Sequence, residues 1–113
     1  MNASIVLAVP ETGCDPLKNA EQIAGNIVVI KRAQCTFAVQ ASMAEAAGAV
    51  AVIIFDDRNE ELSNMAGDFA AVAIPVMMVT QDAGAKLREN LGQACAIRIG
   101  TLRDVITCGN IRI

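Results

Sequence analysis

The chain has 113 residues, 54% hydrophobic and 19% charged, with a formal net charge of −3, so it has room for one ordinary core and is too apolar to stay disordered. Aromatics make up 3%, without Trp or Tyr, so the interior must be packed from Ala, Val, Ile, Leu and Met. Histidine is absent, and there is no basic run or Gly-rich phosphate cradle. These absences remove His-based catalysis, His-ligated zinc and the usual basis for nucleic-acid binding.

Taken in chain order, residues 4–9 are an expected strand stopped by Pro10. The start lacks the basic region of a signal peptide, so it reads as part of the fold; a secreted parent would have its signal cut away upstream. Residues 11–25 form a polar connection containing the turn formers Thr12, Gly13, Asp15 and Pro16. Residues 26–31 are an expected strand, and the unbroken run Ile27, Val28, Val29, Ile30 suits a position buried on both faces. Thr36 is placed to cap a helix reaching about residue 47, with Phe37, Ala41, Ala44 and Gly48 at helical spacing. Gln40 and Glu45 are expected to point away from that stripe, and Gly48 to end the helix. Residues 49–55 follow as another buried strand, and strand–helix–strand of this length predicts a crossover to a parallel neighbour.

Residues 56–73 change character. Asp56, Asp57, Arg58, Asn59, Glu60 and Glu61 are polar or charged, and the stretch from Ser63 through Met65 to Asp68 is rich in turn formers. Connections this long are commonly functional. Adjacent acids invite thoughts of glycoside hydrolysis or calcium, but the run lacks the sixth-position glycine and terminal glutamate of an EF-hand loop. It reads as a solvated loop after a strand, with Asp56, Asp57, Arg58, Asn59, Met65 and Asp68 as candidate contacts for a peptide or protein partner. No metal or cofactor is expected. After Ile74 and Pro75, residues 76–80 form a short strand, and a helix begins at 81 or 82 and runs to 91. Its early Asp82 and later Lys86 and Arg88 match the helix dipole, and Gly92 ends it. Residues 94–99 and 104–113 are two further strands, the second marked by a turn or bulge at Gly109 and Asn110. No apolar segment is long enough to cross a bilayer as a helix.

Cys14, Cys35, Cys95 and Cys108 allow three pairings, and none sits in a Cys-x-x-Cys motif. Two local bridges, Cys14–Cys35 and Cys95–Cys108, are preferred because each closes a short loop beside a strand. Each would contribute about 3 kcal/mol in the chain-entropy model. Four buried thiols in a reducing compartment are the alternative. A thiol enzyme or redox protein is a competing functional class and requires an accessible thiol with an activating base, for which no candidate is evident.

The ordered set Cys14, Ile27 to Phe37 with Arg32, Cys35 and Phe37, Ala47-Gly48-Ala49 leading into an apolar strand, Ile74-Pro75-Val76, and Gly84 with Leu87 resembles the protease-associated (PA) domain. Ala33 stands where that family usually has Gly, Gln40 where Lys is frequent, and Asp56 where Asn is frequent. The resemblance implies an α/β fold, a small mixed β-sheet, barrel-like or sandwich-like, flanked by about two helices. It also fits a Cys14–Cys35 bridge. It further implies residues 1–113 as one domain of a larger secreted or lumenal protein. The expected role is a non-catalytic protein- or peptide-interaction domain that modulates substrate access, specificity or assembly of an attached protease. A lumenal cargo-binding domain of a sorting receptor or membrane ubiquitin ligase is the alternative.

Overall fold

A computed structural model describes residues 2–33, 35–55, 72–98, 105–108 and 111–112. In chain order the elements are β1 (Asn2–Leu7), α1 (Ala20–Ile23), β2 (Ile27–Lys31), α2 (Phe37–Ala46), β3 (Ala51–Phe55), β4 (Val76–Val79), α3 (Gln81–Glu89), β5 (Ala94–Arg98), β6 (Val105–Cys108) and β7 (Ile111–Arg112). The described strands form one mixed sheet in the order β4-β3-β2-β1-β5-β6-β7. β1 to β4 are parallel, with Val28 opposite Val6 and Val52, and Ile54 opposite Met78. β5, β6 and β7 continue antiparallel from the other side of β1.

β2 and β3 are the hydrophobic centre, and their β-branched runs are buried without alternation because both faces of the sheet are covered. Successive side chains nevertheless go to opposite faces. Val28, Ile30, Val52 and Ile54 pack with Ile23 of α1 and Phe37 and Ala44 of α2. Ile27, Val29, Ile53 and Phe55 pack on the other side with Leu87 of α3 and with Ile5, Cys95, Ile97, Ile106 and Cys108. The antiparallel strands therefore share the interior that α3 closes, which gives the sheet its barrel-like character. α1 and α2 lie on one face, as a series of same-handed crossovers between adjacent parallel strands requires.

The helices end where local chemistry dictates. Thr36 Oγ1 accepts from the Val39 N–H, and Thr80 Oγ1 accepts from the Ala83 N–H, both at 3.2 Å. Gly48 follows α2 at φ +89°, a conformation that a side chain would strain. Gly84 meets a different need: a Cβ there would lie 2.6 Å from the Phe55 Cβ, so α3 can approach β3 only through a glycine.

Three expectations need correction. The connection after β1 contains a third, four-residue helix, α1, anchored by the fully buried Ile23; one turn is too short to create a periodic signal. The expected strand over 104–113 is two strands, because Thr107 pairs with Arg112 and Cys108 with Ile111 in antiparallel register. Gln40 lies inside the α2 packing face and is fully buried. Its amide satisfies backbone carbonyls there, as described below.

Gly84→Ala tests the close approach of α3. Crowding against Phe55 should lower stability by about 1–3 kcal/mol, outweighing the gain in helix propensity. Urea unfolding followed by far-UV circular dichroism checks this, and an unchanged or higher midpoint would contradict it.

Candidate functional site

All four parallel strands direct their carboxyl ends to one edge, and the loops leaving that edge form a common rim. In open α/β sheets this is where backbone ends and helix starts are free to meet a ligand. Residues 8–19 leave β1, residues 32–36 leave β2, the 56–71 segment leaves β3 at Phe55, and Thr80 leads from β4 into α3.

The first two loops are locked together. Of the possible cysteine pairings the structure has Cys14–Cys35 and Cys95–Cys108. Cys14–Cys35 ties the loop after β1 to the residue preceding the α2 cap. Beneath it, Gln40 Nε2 donates to Thr12 O at 2.6 Å and to Lys31 O at 2.8 Å. Both amide hydrogens are thereby used, and Oε1 is buried without a protein donor. The Lys31 N–H donates to Glu11 O at 2.8 Å, and the Arg32 N–H to Phe55 O at 2.9 Å. Cys95–Cys108 lies elsewhere, joining directly opposed residues of β5 and β6 within the core.

Two arginines stand over aromatic rings on this rim. The Arg32 guanidinium is 5.6 Å from the Phe37 ring centroid, and that of Arg88 is 6.0 Å from Phe55. Arg88 Nη1 also lies 3.4 Å from Glu11 Oε1, linking α3 to the loop after β1. The carboxylate oxygen makes no hydrogen bond, and both side chains are a third or more exposed, so the pair is a weak Coulombic contact. Its use is to set direction: it lays the guanidinium across Phe55.

The sequence-derived contact residues Asp56, Asp57, Arg58, Asn59, Met65 and Asp68 lie outside the described residues. What is placed are the two ends of their segment. Phe55 sits in the rim, and Ala73, at the amino end of β4, donates its N–H to Glu45 Oε2 at 2.7 Å. The segment is thus the crossover from β3 to β4, starting beside Arg32 and Arg88. Arg32, Phe37, Arg88 and Gln40 were missed as site residues. Phe37, Gln40, Ala41 and Ala44 fall at i, i+3, i+4 and i+7, so helical spacing could have placed Gln40 inside.

The rim sets two cationic side chains over two aromatic rings. It offers guanidinium groups, ring faces and loop backbone. All four cysteines are in disulfides, and among the described residues no cluster of His, Cys, Asp or Glu could hold a metal ion. Among the same residues no helix is long and apolar enough to cross a membrane.

Gln40→Leu should cost about 1–3 kcal/mol, because two carbonyls would lose their donor inside the protein. Exposed Gln22 provides the control, and Gln22→Leu should change stability by less than about 0.5 kcal/mol. Comparison of the two urea midpoints decides the point.

Comparison with known proteins gives one family. The PA domain model matches residues 1–87. Signal peptide peptidase-like 2 of Arabidopsis thaliana is 34% identical over 96 residues, covering 82% of this chain and 17% of its own length. Human ER degradation-enhancing alpha-mannosidase-like protein 3 is 40% identical over 65 residues, covering 52% of the chain and 7% of its own length. Among solved structures, a zinc aminopeptidase from Bacillus subtilis superposes with a TM-score of 0.56 at 21% identity, over 98% of this chain and 28% of its own, which speaks for the fold alone. The chain spans less than a fifth of the curated relatives described here. With the mixed sheet, its flanking helices and the matched residues in agreement, the chain belongs to the PA domain family.

Proposed function

We propose that residues 1–113 act as one accessory domain of a larger secreted or lumenal protein, binding polypeptide segments and thereby controlling what reaches an attached protease. Family membership supports an accessory role, and relatives named as peptidases support the protease setting. Two disulfides suit an oxidising compartment. The observation that carries the reading is the rim itself. The fully buried strand β3 ends at Phe55, beside two arginine–aromatic pairs, and the polar 56–71 segment is the next stretch of sequence.

A second reading, a lumenal domain that holds cargo without a protease partner, draws on the match to a relative named as a mannosidase-like protein. Experiment separates the two. Replacing Asp56, Asp57, Arg58 and Asn59 by Gly and Ser in the full-length parent should leave the fold intact. On the first reading the replacement shifts cleavage preference among peptide substrates by several-fold in kcat/KM, with kcat on a minimal substrate unchanged. Loss of cargo association without any change in cleavage would favour the second reading, and unchanged cleavage, assembly and association would reject both.

A further inference from the structure

The loop after β1 is fixed at both ends and slack in the middle. Near its start the Gly13 N–H donates to Pro10 O at 3.0 Å, and Gln40 holds Thr12 O from below. At its far end the Lys18 N–H donates to Val9 O at 2.6 Å. Asn19 completes that end, its Nδ2 donating to Leu7 O at 2.9 Å and its Oδ1 accepting from the Val9 N–H at 3.1 Å. Between these points residues 14–17 make no backbone hydrogen bond among the described residues, and Leu17 is held by packing alone. In the loop after β2, Ala33 and Cys35 make none either. The Cys14–Cys35 disulfide is what joins these two slack stretches.

The second disulfide sits differently. Cys95 and Cys108 are 2% and 1% exposed, and the pairs Ala96–Thr107 and Ile97–Ile106 continue the ladder beyond them. A reductant reaches that bond only when the core itself opens. Cys14 and Cys35 are partly exposed, and their chain neighbours Asp15 and Thr36 are open to solvent. Cys35 also immediately precedes Thr36, the cap of α2, and the start of a helix favours the negative sulfur that reduction releases. Access and leaving-group stability both govern thiol–disulfide exchange, and both single out the same bond.

We propose that Cys14–Cys35 is a reversible redox latch on the rim, opened by a dithiol reductant, such as the paired cysteines of a thiol–disulfide oxidoreductase, while the domain stays folded. One reductant thiolate attacks a sulfur of the pair, the bond between Cys14 and Cys35 breaks, and the other cysteine leaves as a thiolate. The second reductant thiolate then attacks the mixed disulfide and frees the domain. Two electrons and two protons pass to the two cysteines, and the reductant departs as its own disulfide. Once the bond is open, residues 14–17 separate from Ala33 and Cys35. Beneath them Gln40 still joins Thr12 O to Lys31 O, and the Lys31 N–H still donates to Glu11 O, so the loosening stops at the rim. The latch goes beyond the proposed binding role and is tested without any binding partner.

The probe is dithiothreitol, applied to the 113-residue chain without denaturant, with timed samples blocked by iodoacetamide and mapped by peptide mass spectrometry. Cys14 and Cys35 should become alkylated about tenfold faster or more than Cys95 and Cys108, whose bond reports opening of the whole core. When Cys14–Cys35 alone is reduced, the far-UV circular dichroism spectrum should be unchanged. Amide NMR shifts should then concentrate at residues 13–18 and 32–37, and oxidised dithiothreitol should restore the starting spectrum. Equal rates at the two bonds, or resistance of both until the chain unfolds, would overturn the proposal. So would collapse of the circular dichroism signal as Cys14–Cys35 opens, or NMR shifts confined to the two cysteines. A rim that bound no polypeptide would alter none of these outcomes, so the latch and the binding role fail separately.

Discussion

The structure depends on burying two adjacent strands, β2 and β3, on both faces. Their side chains from Ile27 to Ile30 and from Ala51 to Ile54 are almost wholly removed from water. A fully buried Ile or Val contributes about 1.5–3 kcal/mol, so neither face can be left open. One face is met by α1 and α2, whose alanines, Ala41 and Ala44, have no bulk to hold the helix away. The other is met by α3, through Gly84 and Leu87, and by the antiparallel strands curling over the same interior. Parallel order in one half and antiparallel order in the other are two ways of covering the same pair of strands.

That arrangement also explains why the arginine–aromatic pairs collect at one edge. Strands buried on both faces can present only their ends and the loops that follow them. The loops after β1 and β2 would be free to move apart, yet a disulfide and a buried amide hold them at two levels, Cys14–Cys35 near the surface and Gln40 beneath. The two loops thereby form a single cross-braced base.

Much of this could be read in advance, for reasons that are local. Unbroken β-branched runs name β2 and β3, and Thr36 sits where a helix start needs an acceptor, whereas Thr80, read as the end of a strand, proves to be the cap of α3. The cysteine spacing with Phe37 and the Ile74-Pro75 step carried the family resemblance. The features that escaped notice are those set by distant chain. A single turn such as α1 leaves no period, and its Asn19 is informative only once β1 is seen beside it, twelve residues away. Gln40 looked like a surface residue because amides usually are. Its burial is decided by two carbonyls on segments 28 and 9 residues earlier in sequence. Arg88 gained its place from packing against Phe55, a contact with no local sequence mark.

Asn19 has a consequence for how the domain ages. An unprotected strand edge is a template on which further chains can add and grow into aggregates, and here one side-chain amide guards it. Deamidation of Asn19 would convert its donor to a carboxylate oxygen facing the Leu7 carbonyl, exchanging attraction for repulsion. A single hydrolytic event, with no change of backbone sequence length, would uncover the edge.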